Sequence, residues 1–297
     1  MIRKAELTGA VDWTNQILQT AGSLVTKFLE TAIQMKFKLK QQHIILSIAF
    51  LIVLVAGHSH AQENSKAADE VVSQFAEDVL FHVVMHELGH GLVREFDLPI
   101  LGNEETLADT FATHYIVSRL PSERALQILK ARVNSLMFEA REVPRDEWTV
   151  KGEHNSDARR AYQIAASAIA YDSDVFGSLA TIVDMDESDV RSATDYGSEI
   201  HRSWRRILKP LWMPEGEKSS EARMIVEDES NFSRSLTEGK MVPELEKALK
   251  SFDWHSQVKV RFASGSGGAG WSRSARTVTV RDGYVERFVA QGESLAK

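Results

Sequence analysis

The sequence of 297 residues contains no cysteine. Disulfide bonds, cysteine-ligated zinc, iron–sulfur clusters and thiol catalysis are therefore excluded, and any metal site must be built from His, Asp and Glu. Basic residues are also in the minority, with 35 Lys and Arg against 42 Asp and Glu and a net charge of −7. Because binding to a phosphate backbone needs basic surface, this balance argues against a nucleic-acid partner.

Long hydrophobic runs are lacking as well. Residues 44–57 form an uncharged apolar run of 14 residues, which is short of the roughly 20 that a transmembrane helix needs. The run follows Met35 and a lysine-rich start, and it precedes Ser59-His60-Ala61. A basic start, a short apolar core and small residues before a cut are typical of a secretory signal peptide.

We therefore predict a signal peptide over residues 35–61 and a mature chain that begins at Gln62. Residues 1–34 are then interpreted as a mis-annotated extension upstream of the true start. The alternative is a cytoplasmic tail followed by a short, uncleaved membrane anchor. Export without cysteines suits a bacterial periplasm or the cell exterior, and contact with a membrane is expected only if the apolar segment stays uncleaved.

Hydrophobic periodicity predicts a single, mainly helical domain over residues 62–297. Asn103 followed by two acids predicts a helix start, because Asn is a good cap and acids suit the first turn. The predicted helices span 66–95, 103–120, 122–143, about 157–181, 187–208 and 243–251. The polar, acidic stretch at about 214–240 predicts a long loop.

Strand patterns occur only near the C-terminus. Alternating residues predict strands over 257–262 and 276–281, and Asp282-Gly283 predicts a turn into a third strand over 284–289. The glycine-rich segment 265–270 between the first two predicts a flexible hairpin tip. The expected fold class is α+β, mainly helical, with a small C-terminal antiparallel β element.

The chemistry concentrates at residues 86–90, which read His-Glu-Leu-Gly-His. Two histidines four residues apart on a helix project from one face and suit one zinc ion. Glu87 can then act as general base for a water molecule at the metal. The flanking residues are apolar, so the helix should be buried, and burying these polar groups is costly without a metal or partner. The alternative is a core helix whose histidines bond to carbonyl groups.

A third ligand is expected downstream. Val93 and Phe96 stand where a metzincin would have Gly and His, which excludes that form. Glu105 and Asp109 lie four residues apart, on one face of the second predicted helix, and resemble the thermolysin-type, or gluzincin, layout. That resemblance implies Glu105 as the ligand and Asp109 as the acid that orients a ligating His. Asp109 as direct ligand stays open, and Glu104, about 100° away around the helix, is the weaker candidate.

A resemblance to a known family covers about residues 65–180. The stretch 86–112 resembles exported bacterial proteins called "putative metallopeptidases", which share HELGH, a Leu-Pro turn, a Gly, paired acids and Ala-Asp. A second stretch is similar but less closely: Trp148, 153–157, Arg160 and Tyr162. The family usually has Asn where this chain has Gln163, and a strand pair before the HExxH helix, where this chain has none.

The resemblance implies a zincin-like HExxH helix, one Zn²⁺ ion and hydrolysis of peptide or protein substrates. In the gluzincin layout a His or Tyr donates a hydrogen bond to the oxyanion, which implies this catalytic role for His154; a surface histidine is the alternative. Zinc peptidases usually hold the substrate as a strand added to a sheet edge. We therefore expect the C-terminal strands to fold back over residues 75–95.

The function predicted from the sequence is a zinc-dependent metallopeptidase with Glu87 as general base. The main alternative is an exported protein that binds zinc but is catalytically idle, acting as an inhibitor or scaffold; it should have an intact site with no groove beside it. A helical structural protein without metal is the third possibility, with histidines in ordinary hydrogen bonds.

Overall fold

The computed structural model divides the chain into two units, Met1–Ala67 and Ala68–Lys297. The described residues of the first unit, Lys27, Glu30, Thr31 and Gln34, are helical. In the second unit the structure describes residues 70, 72–100, 102–142, 155–227 and 239–295. The predicted signal segment 35–61 and His154 lie outside the described residues. Among those described, no helix is long and apolar enough to cross a membrane.

Most of the second unit is helical, as the periodicity predicts. Two 3-10 helices, Gly177–Val183 and Lys209–Leu211, lie directly after α-helices. The α-helices are α1 (72–95), α2 (Glu104–Arg119), α3 (Ser122–Glu142), α4 (Asp157–Tyr171), α5 (Ser173–Phe176), α6 (Glu187–Leu208), α7 (Met241–Leu249) and α8 (Asp282–Leu295).

Polar side chains set the helix boundaries. Asn103 accepts a hydrogen bond from the Thr106 backbone N–H at 3.0 Å, so the predicted start of α2 is confirmed. The single helix predicted over 157–181 is instead divided at Asp172. That residue has an extended backbone, and its carboxylate accepts N–H groups of the next turn, which ends α4 and starts α5.

Helix α1 lies in the core of the helical layer. Its residues Val79, Leu80, Val84 and Leu88 are completely buried, in agreement with the apolar face predicted for this segment. Helix α4 packs against α2, α3 and α6. A helix that is apolar on most sides is stable only inside such a layer, because each face then finds a partner.

The described residues form a sheet of four strands in the order β1-β2-β4-β3. The two strands predicted from alternation are confirmed as β2 (Val258–Ala263) and β4 (Thr277–Arg281). They pair with each other in parallel, and β1 (Ala222–Val226) is parallel to β2. The antiparallel partner of β4 is β3 (Ala269–Ser272), which forms one edge of the sheet.

Three predictions for the C-terminal third are wrong. The third strand predicted over 284–289 lies in helix α8, where Val285 and Phe288 are buried three residues apart, as on one helical face. The predicted loop 214–240 contains β1, and the predicted hairpin tip 265–270 runs into β3. Both strands are short, and hydrogen bonding to β2 and β4 stabilises them rather than a pattern of their own.

The sheet attaches to the C-terminal end of α1. The Trp271 ring of β3 lies so close to Gly91 that a β-carbon there would sit 3.3 Å from it. Glu95 accepts hydrogen bonds from Ser256 and Arg276 at 2.6 and 3.0 Å. The expectation that the C-terminal strands fold back over residues 75–95 is thus confirmed for the end of that range.

A buried histidine pair links α2 to α6. The Nδ1 atoms of His114 and His201 are 2.9 Å apart, and His201 Nε2 donates to the Ser167 carbonyl at 2.7 Å. Burial, assisted by repulsion from His201, lowers the pKa of His114 to about 3. Between pH 6.5 and 3 the unfolded chain therefore binds a proton that the folded chain does not.

The pair should make the fold sensitive to acid. The neutral histidine pair contributes fully to the free energy of unfolding above pH 6.5, and this contribution declines as the pH falls. His114→Gln should remove up to about 1.4 kcal/mol per pH unit from the pH dependence of the unfolding free energy. Denaturant titrations at pH 7, 6 and 5 measure it, with the exposed His255→Gln as control. Equal slopes for wild type and His114→Gln would refute this assignment.

Candidate metal centre

The histidines of the HExxH segment converge. His86 and His90 lie one turn apart on α1, and their Nε2 atoms are 3.3 Å apart. His86 is 5% exposed and His90 is half-buried at the surface of the helical layer. Two imidazole nitrogens this close need something between them, either a shared proton or a cation.

Helix α2 brings a carboxylate to the same point. Glu105 Oε2 is 3.1 Å from His86 Nε2, and Glu105 Oε1 is 3.4 Å from His90 Nε2. A tetrahedral zinc ion with bonds of about 2.1 Å holds its ligand atoms about 3.4 Å apart. The three donor groups therefore have the spacing that one such ion needs, and together they form a cluster that could hold a metal ion.

Gly89, between the two histidines, allows this approach. A β-carbon at Gly89 would lie 3.0 Å from the Ala108 α-carbon, so the backbones of α1 and α2 are nearly in contact there. Any larger residue at position 89 would push α2 outward. The close approach is what places Glu105 and Asp109 beside the histidines of α1.

Each histidine has a second carboxylate on its other ring nitrogen. His86 Nδ1 donates to Asp109 Oδ1 at 2.8 Å, and His90 Nδ1 donates to Glu104 Oε1 at 2.9 Å. These bonds hold the ring orientation and leave both Nε2 atoms directed at Glu105. Asp109 lies behind His86, away from the point where the Nε2 atoms meet. The sequence analysis missed the position of Glu104 beside His90, because it considered Glu104 as a helix-start acid and a weaker ligand candidate but not as a partner of His90.

Asp109 is itself held by Arg160 of α4. The guanidinium donates through Nε to Oδ2 at 2.8 Å and through Nη2 to Oδ1 at 2.9 Å. Burial alone would raise the pKa of Asp109, but the hydrogen bonds from His86 and Arg160 hold that pKa well below its usual range. Asp109 is thus ionised, and the chain His86–Asp109–Arg160 connects the candidate centre to α4.

The carboxylates make the cluster attractive to cations. Burial would lower the pKa of His90, yet its hydrogen bonds to Glu105 and Glu104 raise that pKa to about 9. The pKa of His86 is also raised, since Asp109 and Glu105 outweigh its burial. A metal ion that binds at these nitrogens must therefore compete with protons for them.

An open cavity of about 480 Å³ lies against the cluster. We call this cavity the groove. One wall is formed by α1 and the start of α2 with its cap, and the other by β3 and the turn after it. The lining residues are Glu87, His90, Asn103, Glu104 and Glu105 on the first wall and Ala269, Gly270, Trp271 and Arg273 on the second.

A family model described as "Putative metallopeptidase" matches residues 9–208 of the 297. The chain belongs to this family. The match is longer at both ends than the resemblance over 65–180, and it includes the whole cluster and Arg160. It stops before β1, so the second wall of the groove lies outside the part that the family model matches. No curated protein and no solved structure matches the chain.

Proposed function

We propose that the protein is a zinc-dependent peptidase that cleaves peptide bonds in the groove. The observation that carries the proposal is the convergence of His86, His90 and Glu105 at the wall of an open groove. An idle zinc-binding scaffold, the main alternative, has no need of a groove beside its metal. Membership of a metallopeptidase family supports the same conclusion at the level of the family.

The donor set supports zinc as the metal. Two imidazole nitrogens and one carboxylate, with a fourth position free for water or substrate, are characteristic of catalytic zinc. Calcium and magnesium prefer oxygen ligands alone. A zinc ion held by these three residues would supply Lewis-acid chemistry, lowering the pKa of a bound water and polarising the scissile carbonyl.

Glu87 is the proposed general base. It follows His86 directly in the sequence, and its side chain lines the groove without belonging to the three-residue cluster. In this role the Glu87 carboxylate accepts a proton from the attacking water and then gives it to the leaving amine. His154 stays a proposed oxyanion donor on the strength of the resemblance alone.

Strand β3 is the proposed binding edge for the substrate main chain. Among the described residues it pairs only with β4, at one edge of the sheet, and Ala269, Gly270 and Trp271 line the groove. An edge strand has unpaired backbone N–H and C=O groups, to which an extended peptide can add as a further strand. The contact between Trp271 and Gly91 sets the distance between this edge and the metal-binding helix.

Two measurements test the proposed function. Metal analysis of the purified protein separates a zinc protein, with one zinc ion per chain, from a metal-free helical protein. Cleavage of a peptide library then separates a peptidase from an idle scaffold.

The proposed periplasmic or secreted location rests on the signal peptide predicted over residues 35–61. N-terminal sequencing of exported protein should find Gln62 as the first residue. Material that starts at residue 1 or Met35 would count against this prediction.

The roles of Glu105 and Asp109 are distinguishable by zinc affinity. Loss of an orienting acid typically weakens metal binding about 10–100-fold, and loss of a direct ligand should cost more. Glu105→Ala should therefore nearly empty the site, whereas Asp109→Ala should leave measurable zinc and reduced activity. Competition with a chromophoric chelator measures both affinities. The reverse order would transfer the ligand role to Asp109, and equal, small effects would place the third ligand elsewhere, with Glu104 next to test.

A further inference from the structure

The wall of the groove formed by β3 and the following turn carries an unmatched charge. Arg273, in the turn directly after β3, is exposed and lines the groove. It is the only arginine or lysine among the described residues of that lining. The opposite wall, which also carries His90, holds the acidic residues of the described lining: Glu87, Glu104 and Glu105.

Nearby arginines differ from Arg273 in having partners. Arg276 bonds to Glu95 at 3.0 Å, Arg261 is paired with Glu227, and Arg281 donates to the Ser264 carbonyl at 3.2 Å. Within the described part of the chain, Arg273 forms no ion pair. An arginine that lines a groove and has no carboxylate partner among the described residues has its five N–H donors available to a ligand.

From this placement we infer that Arg273 selects substrates that carry a carboxylate at one position, supplied by an Asp or Glu side chain or by the C-terminus. The inference rests on the proposed peptidase function. A guanidinium presents a planar fork of N–H groups that matches a carboxylate with two parallel hydrogen bonds. A peptide added to β3 would run past the turn that holds Arg273, which brings one of its side chains or its end within reach.

The preference should be confined to one position of the substrate. The opposite wall carries three carboxylates, so an acidic side chain facing Glu104 or Glu87 is repelled unless the metal offsets those charges. An acid near Arg273 finds the opposite sign. Position dependence therefore distinguishes recognition by Arg273 from a general attraction of acidic peptides to the site.

The test compares peptides that differ only in charge. A peptide cleaved by the wild-type protein is made with Glu or Gln at each position in turn, and with a free or amidated C-terminus. Wild type, Arg273→Gln, Arg273→Lys and Arg276→Gln are compared by kcat and KM at low salt. Arg276→Gln is the matched control, because it removes an exposed arginine three residues away that does not line the groove.

Wild type should prefer Glu over Gln at one position, or the free over the amidated end, by about five- to tenfold in kcat/KM, mainly through KM. The preference should vanish in Arg273→Gln, persist in Arg276→Gln and survive in part in Arg273→Lys. A preference within the Glu and Gln peptides indicates that Arg273 binds a side-chain carboxylate, and a preference for the free C-terminus indicates that it binds the terminal carboxylate. Equal ratios in wild type and Arg273→Gln at every position overturn the inference, as does an Arg273→Gln protein that keeps zinc but cleaves nothing.

Failure of the proposed function gives a different result. If the zinc-loaded wild type cleaves no peptide, the peptidase proposal fails whatever Arg273 does. The same Glu and Gln peptides, labelled for fluorescence anisotropy, can then be titrated against wild type and Arg273→Gln. Tighter binding of the carboxylate peptide to wild type alone would uphold recognition by Arg273, and equal binding to both proteins would reject it.

Discussion

Replacing His86 with alanine should give a folded protein that no longer retains zinc. The substitution leaves only His90 and Glu105 at the cluster, and two protein ligands rarely hold zinc tightly. The loss of zinc affinity should be larger than the weakening of about 10–100-fold that typically follows removal of an acid that orients a ligating histidine. Asp109 would still be held by both bonds from Arg160, so no buried carboxylate is left unpaired and the fold should persist. Metal analysis after dialysis, with circular dichroism of the same sample, measures both properties.

The matched control for this experiment is His114→Ala. It also removes a buried imidazole, from α2 rather than α1, but His114 pairs with His201 and is not part of the cluster. Zinc content should stay at one ion per chain in this variant. His90→Ala should behave like His86→Ala, since its Nε2 is at the same point. One zinc ion retained by either cluster variant would contradict the assignment of the site.

Glu87→Gln should keep zinc and lose cleavage. The amide has the shape of the carboxylate but cannot accept a proton, so only the general base is removed. General-base catalysis typically contributes about 10²–10⁴-fold to the rate, and kcat should fall by that order while KM changes little. Glu87 lines the groove and is not one of the three clustered residues, so the metal should be unaffected.

Glu95→Gln provides the comparison for Glu87→Gln. Glu95 is a carboxylate at the end of the same helix, bonded to Ser256 and Arg276 and absent from the groove lining. This variant should cleave at the wild-type rate and keep its metal, because Glu95 belongs neither to the cluster nor to the groove lining. Full cleavage by Glu87→Gln would show that the mechanism proposed for Glu87 is wrong.

Local signals in the sequence predict the first part of the site. The pattern His-x-x-x-His places two imidazoles on one helical face without any knowledge of the fold, and Asn103 with two following acids places the start of α2. Both features depend on residues within one or two turns of each other. That is why the helices that carry the cluster could be predicted from periodicity and capping alone.

Contacts between distant segments could not be predicted in the same way. Arg160 lies 51 residues from Asp109 in the chain, and only the family resemblance singled it out, without a partner or a role. Gly89 has no local signal for its closeness to Ala108, which depends on how α1 and α2 pack. Such contacts are products of the tertiary arrangement, so a single sequence gives no pattern for them.

The C-terminal errors have a physical cause as well. Asp282-Gly283 has the composition of a hairpin turn, but in the fold Asp282 opens α8 as an acid in its first turn. Ala269–Ser272 is short and glycine-containing, and it becomes β3 because β4 supplies its backbone partners. Strand formation at an edge depends on the neighbouring strand more than on the residues of the strand itself.

The central claim is that one zinc ion at His86, His90 and Glu105 makes the groove a peptidase site. Its most direct test is a reconstitution titration, in which chelated protein receives increasing zinc while cleavage of a fixed peptide is followed. The account predicts no cleavage without metal, and a linear rise that ends at one equivalent of zinc per chain in wild type and is absent in Glu87→Gln. Cleavage that survives complete chelation, or a fully zinc-loaded protein that leaves every library peptide intact, would contradict it.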